Sequence, residues 1–133
     1  MTIVYRITEP SSDKSQAMLQ AIGWQVNMRS YSWSPPTDVY ETETHLIIRV
    51  EVAGMRETDF SIHVDRNYLT ISGTRMDVPE RRAYHQIEIR FGEFATAIEL
   101  PQGVDVDGTR AEYEDGFLMV FVPKSMSTKM TVD

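Results

Sequence analysis

The chain has 133 residues, 41% of them hydrophobic, and a formal charge of −7; it is long enough for one domain with a buried core, and too acidic for the basic stripe of a nucleic-acid binder or for attraction to anionic lipid. It contains no cysteine, which excludes disulfides and thiolate metal sites and fits a reducing compartment. No run approaches the roughly 20 apolar residues that span a bilayer, and the opening MTIVYRITEPSSDK has no signal-peptide pattern, so the expected location is the cytoplasm, with no membrane partner.

Residues 1–34 read as an arm. After a capping candidate at Ser11 or Ser12, Met18, Leu19, Ile22 and Val26 recur at helical spacing, with Trp24 among them. A helix this short is marginal in water, so the arm is expected to be partly helical or disordered. NMRSYSWSPP follows, with Tyr31, Trp33 and two prolines. Methionine and aromatic side chains suit variable contact surfaces.

From Asp38 the pattern changes to period two. HLIIRVEV sets Leu46, Ile48, Val50 and Val52 on one face and Ile47, Arg49 and Glu51 on the other. FSIHVD aligns Phe60, Ile62 and Val64 against Ser61 and His63, and Arg66-Asn67 reads as a turn in which Asn67 is able to take the left-handed conformation. YLTISGT turns Leu69 and Ile71 inward. Residues 75–86 are polar, charged and interrupted by Pro79, which predicts a long loop. IEIRFGEFATAIELP then gives strand-like Ile87, Ile89 and Phe91, a break at Gly92, and Phe94, Ile98 and Leu100 beyond it. Asp115-Gly116 joins the last two strand-like runs as a hairpin.

Short strands separated by turn signals predict an all-β, antiparallel β-sandwich. The closing strand is unusual. In GFLMVFVPK, Leu118, Val120 and Val122 share one face while Phe117, Met119 and Phe121 share the other, and both faces are apolar. A half-solvated sheet needs one apolar face. Burying three such side chains would contribute roughly 5–9 kcal/mol at about 1.5–3 each, so the second face is expected to meet either the chain's own arm or another chain.

Catalytic chemistry is not legible. No phosphate-cradling loop, dinucleotide fingerprint or nucleophile elbow occurs. His45, His63 and His85 lie on separate elements, and the carboxylates are interleaved with Arg and Thr along exposed strand positions and turns. No catalytic residue, cofactor site or metal site is assigned, and the chain is not expected to be an enzyme. A hydrolase would require a concave site with convergent polar groups.

Four segments in order resemble one family. SPPTDVYET is similar to the opening of the α-crystallin domain of small heat shock proteins (the Hsp20 family). VEVAGMRETDFSIHVDRNYLTISGTR resembles its strand–turn–two-strand stretch. IEIRFGEFATAIELP resembles its G-x-F…LP segment, and AEYEDGFLMVFVPK matches its A-x-x-x-x-G-x-L-x-V-x-V-P signature through Ala111, Gly116, Leu118, Val120, Val122 and Pro123. The resemblance covers about residues 35–124 and leaves 125–133 as a C-terminal extension.

The resemblance implies an immunoglobulin-like sandwich acting as an ATP-independent holdase that binds partly unfolded client proteins and hands them to ATP-dependent chaperones. It implies self-association as larger oligomers built from a homodimer, the dimer formed through the 75–86 loop with Ala83, Tyr84 and His85 exchanged onto a neighbour's sheet. It also implies a C-terminal docking motif, for which Met130 and Val132 are the candidates, received by a groove of Ile62, Val64, Ala111 and Tyr113. The arm residues Met18, Leu19, Ile22, Trp24 and Val26 would contact clients. The alternative is a CS-domain co-chaperone or adaptor sandwich that binds one folded partner. The chain departs from the family pattern at Ala53, where proline is usual, and at Ile89 and Thr96, where arginines are common. It departs also in its Met130-Thr131-Val132 tail and in the apolar excess of Phe117, Met119 and Phe121.

Overall fold

A computed structural model describes Thr2–Ile3 and residues 33–126. The expected arm helix and the Met130–Val132 motif lie outside the described residues. The described elements are eight strands: β1 (Thr2–Ile3), β2 (Thr37–Glu41), β3 (His45–Glu51), β4 (Phe60–Asp65), β5 (Tyr68–Arg75), β6 (Gly92–Glu99), β7 (Arg110–Glu114) and β8 (Phe117–Pro123). They form a five-stranded sheet in the order β1-β7-β8-β3-β2 and a three-stranded sheet in the order β4-β5-β6, with every pairing antiparallel. Two short 3-10 turns, Glu57–Asp59 and Val106–Gly108, lead into strands β4 and β7. The expected all-β antiparallel sandwich is the fold observed.

The period-two pattern places the core. Leu46, Ile48 and Val50 from β3 and Leu118, Val120 and Val122 from β8 face Phe60, Ile62 and Val64 from β4 and Leu69 and Ile71 from β5, all buried. Phe94 is fully buried on β6 opposite Gly73 of β5. The absence of a side chain at Gly73 makes room for that ring, since a Cβ there would lie 2.8 Å from Phe94 Cζ and 2.6 Å from the Asp59 carbonyl. Thr96 pairs with Ile71 and points into the same core row, buried. An arginine there would carry its charge into the core.

Two hairpins show how far local signals reach. Asp115 and Gly116 both adopt positive φ, 53° and 82°, as a two-residue type I′ turn demands. At the β4–β5 hairpin the left-handed residue is Arg66 (φ 58°) and not Asn67. Asn67 is held instead by long-range partners: its side-chain amide donates to Glu99 Oε1 at 3.3 Å, and its carbonyl accepts from the Leu100 amide. Ile87, Ile89 and Phe91 also differ from expectation. They belong to no strand and are 67%, 68% and 38% exposed. The break at Gly92, whose φ is 100°, marks the start of β6 rather than a kink within a longer strand.

Candidate functional site: exposed edges, loop and outer face

The five-stranded sheet ends at β2, beyond which no further strand pairs among the described residues. Four of the five residues of β2 are exposed, with Val39 at 45%. An open edge offers unpaired backbone donors and acceptors to another strand. Its root is fixed from below: the Lys124 side chain is buried and its Nζ lies 3.0 Å from Glu41 Oε1, while the Lys124 amide donates to the Thr44 carbonyl at 2.8 Å.

At the opposite end, β1 pairs along β7, with Thr2 opposite Glu112 and Ile3 opposite Ala111. The groove residues inferred from the resemblance lie nearby. Ile62, Val64 and Ala111 are buried core side chains, and Tyr113 is half-buried. Tyr113 donates its hydroxyl hydrogen to the Val52 carbonyl at 2.8 Å and accepts the Met55 N–H at 3.3 Å, and its ring packs 5.0 Å from Phe60. It therefore ties β7 to the turn after β3.

Residues 76–91 form the longest irregular segment among the described residues, and nearly all of it is exposed. Ala83, Tyr84 and His85 lie in it, all exposed, with Tyr84 at 52%. Arg82 donates to the Tyr84 hydroxyl at 2.9 Å and pairs with Asp77 at 3.0 Å and Glu80 at 2.9 Å, so the loop is laced by its own ions. Its apolar side chains Met76, Val78, Ile87 and Ile89 are each at least 65% exposed.

Arg75 holds both ends of this loop. Its guanidinium donates to the Arg90 carbonyl at 2.9 Å and to the Ala53 carbonyl at 3.1 Å, and it lies 4.4 Å from the Trp33 ring and 5.3 Å from that of Phe91. Trp33 in turn donates its indole N–H to the Gly92 carbonyl at 3.2 Å, packs 5.3 Å from Phe94, and accepts the Ala95 amide at 3.3 Å. The segment that leaves the arm is thereby stitched to the edge of β6. Sequence reasoning placed Trp33 in the arm and missed this seat. The one signal available was a tryptophan beside a proline pair, immediately before the first strand.

On the outer face of the larger sheet, the second apolar set of β8 is partly covered by the sandwich's own side chains. Phe117 is 38% exposed, and Met119 and Phe121 are half-buried. Neighbouring strands supply partial cover. The Arg110 guanidinium lies 4.1 Å from the Phe121 ring, His45 meets that ring edge-on at 6.2 Å, and Arg49 lies opposite Met119. Arg49 also stacks on Tyr40 at 5.4 Å and bonds the Asp38 carboxylate, and that hydrogen bond raises its pKa above the ordinary value. Long charged side chains thus lie along apolar surface with their heads in water. Among the described residues, no group of three or more His, Cys, Asp or Glu side chains could hold a metal ion, and no helix is long and apolar enough to cross a membrane.

Among the described residues, two packed antiparallel sheets, an exposed edge strand and a long exposed loop define an α-crystallin-type β-sandwich. Residues 38–132 match the model of the Hsp20/alpha crystallin family, and the chain belongs to that family. It is similar to small heat shock protein C4 of Rickettsia felis, 34% identical over 98 residues that cover 72% of this chain and 60% of that protein. Among solved structures it is similar to heat shock protein 16.0 of Schizosaccharomyces pombe, with a TM-score of 0.65 and 31% identity over 75% of this chain and 93% of that one. It is likewise similar to a small heat-shock protein from Xylella fastidiosa, with a TM-score of 0.66 and 28% identity over 76% and 93% of the two chains. The chain spans 60–66% of the length of the first curated relatives it matches.

Proposed function

We propose that the chain is an ATP-independent holdase that binds partly unfolded proteins and suppresses their aggregation, working from the cytoplasm as a dimer-based oligomer. The observation that carries this reading is the 76–91 loop: a rigid sandwich displays Met76, Val78, Ile87 and Ile89 to solvent with little cover. Unfolding proteins expose apolar surface and strand edges, and an exposed, adaptable apolar segment can meet such surfaces without requiring one client sequence. Family membership supports a chaperone role. In this reading residues 1–34 are the client-binding arm, 35–124 the sandwich and 125–133 the extension, and released clients pass to ATP-dependent chaperones.

Self-association in this reading uses strand exchange. Ala83, Tyr84 and His85 of one copy add to the free β2 edge of another, which satisfies the edge groups that β2 leaves open. Docking of Met130 and Val132 beside β7 competes with β1, because β1 already pairs along that edge. The test is light scattering of a heat-denaturing client with and without ATP, run beside size analysis of the chain on heating. Suppression near stoichiometric ratio, equal in both nucleotide conditions, is the expected result. A chain that stays monomeric throughout while the client precipitates overturns the reading and favours an adaptor that binds one folded partner.

A further inference from the structure

Cross-strand register turns Asp65 of β4, Thr70 of β5 and Ala95 of β6 away from the core, onto the outer face of the smaller sheet. All three are nonetheless buried, at 8%, 3% and 0% exposure. They lie on a diagonal that crosses the three strands, while Ser61 and Glu99, at the two corners off that diagonal, are exposed. Among the described elements, the inner face of this sheet packs on the larger sheet and no third layer lies over its outer face. Thr70 Oγ1 is buried and has no hydrogen-bond partner among the described residues. The larger sheet shows the opposite order, with Phe117 38% exposed on its outer side. Small and polar side chains are hidden on one face while a phenylalanine stays in water on the other, so burial here follows cover and not hydrophobicity.

Residues 4–32 lie outside the described residues, and both of their flanks are fixed beside this diagonal. At one flank the Trp33 carbonyl accepts the Ala95 N–H at 3.3 Å. At the other, Ile3 pairs antiparallel with Ala111, so the chain leaves β1 heading toward Arg110. Phe60 opens β4 5.0 Å from Tyr113, near the close of β7. Packed sheets of this kind align within about 30°, so that heading is the one in which β4 runs to Asp65. We propose that the outer face of the smaller sheet is the docking surface of the chain's own residues 4–32, which lie along the diagonal from Asp65 to Ala95. Length permits it: three strands span about 10 Å, and even a continuous helix over 4–32 would be roughly 40 Å long at about 1.5 Å per residue. The floor of Thr70, Ala95 and Ala97 admits a close approach, and Met18, Leu19, Ile22 and Val26 supply an apolar side to set on it. Residues 127–133 have no such tie to the face, since they leave from Ser125, whose N–H bonds the Gly103 carbonyl beyond the exposed Glu99.

The chain has no native cysteine, so one introduced thiol reports one position, read by its rate of labelling with a maleimide in the full chain. Thr70→Cys is expected to label at least about tenfold more slowly than Ser61→Cys on the same face, because the cover must first open. Adding Met18→Glu and Ile22→Glu to Thr70→Cys is expected to bring its rate close to that of Ser61→Cys. Thr96→Cys faces the larger sheet and is expected to stay slow with or without the two arm substitutions, which separates loss of cover from opening of the sandwich. Equal rates at Thr70→Cys and Ser61→Cys in the otherwise unaltered chain overturn the proposal. So does an arm variant that leaves Thr70→Cys slow, or one that accelerates Thr96→Cys equally. Acceleration of Thr70→Cys by removal of residues 127–133 overturns it in favour of the tail, and acceleration on dilution overturns it in favour of a second copy's arm. No client takes part in these measurements, so their outcome is independent of the holdase reading.

Discussion

Lys124 Nζ lies 3.0 Å from Glu41 Oε1, with the lysine side chain 1% exposed and the glutamate 52%. One partner is buried and the other faces water, so the pair works as a strap: the ammonium closing β8 holds the last residue of β2 against the sandwich. The strand with the free edge is secured at the end farthest from its pairing with β3 at Thr37–Val50.

Glu41→Gln therefore removes the carboxylate from a buried ammonium. The half-exposed partner moderates the effect, and a loss of about 1–2 kcal/mol is expected. Urea denaturation should show a lower midpoint at unchanged slope, with Lys124→Met recovering part of the loss. An unaltered midpoint in Glu41→Gln would mean that the strap contributes nothing.

Gly73→Ala places a Cβ 2.6 Å from the backbone carbonyl of Asp59 and 2.8 Å from Phe94. Backbone cannot rotate away as a side chain can, so overpacking is expected to destabilise the sandwich by about 1–3 kcal/mol. Thermal unfolding followed by circular dichroism measures it, and wild-type stability would show that Phe94 moves freely.

Tyr113→Phe deletes one hydroxyl that serves two backbone groups, the Val52 carbonyl and the Met55 N–H. The ring stays, and with it the contact to Phe60. The expected loss is about 1–2 kcal/mol, the usual effect of a part-buried hydrogen bond that leaves its partners unmet. Hydrogen exchange at Met55 should accelerate with it, and unchanged exchange there would refute the assignment.

Arg75→Ala removes the group that joins the Arg90 carbonyl, the Ala53 carbonyl and the Trp33 ring. Limited proteolysis is expected to cut within 76–91 faster than in the wild type, and fluorescence in a Trp24→Phe background, which leaves Trp33 as the remaining tryptophan, should shift to the red. Arg75→Lys keeps the charge but not the fork of donors, and is expected to fall between the two. Identical proteolysis and emission in all three would show that Arg75 does not couple the loop to the arm.

The sandwich was legible in the amino-acid sequence because alternation decides which side of a strand is buried. Leu46, Ile48 and Val50 could occupy a core only as one face of β3, and a one-residue slip would have put Ile47, Arg49 and Glu51 there instead. Asp115-Gly116 specified its turn for an equally local reason, the need for two positive φ angles. The four family-like segments identified the fold's kind through positions of the same sort. Other features needed contacts distant in the chain. The left-handed position of the turn fell to Arg66, while Asn67 is engaged by Glu99, 32 residues away. Ile87 and Ile89 alternate like a strand, yet no neighbour in the sandwich pairs with them, so the pattern alone could not make one. The seat of Trp33 on Phe94 and Arg75, and the cover that Arg110 and His45 give Phe121, arise only when strands far apart are laid side by side. Periodicity fixes what a segment turns inward; only pairing decides what its outward side chains meet.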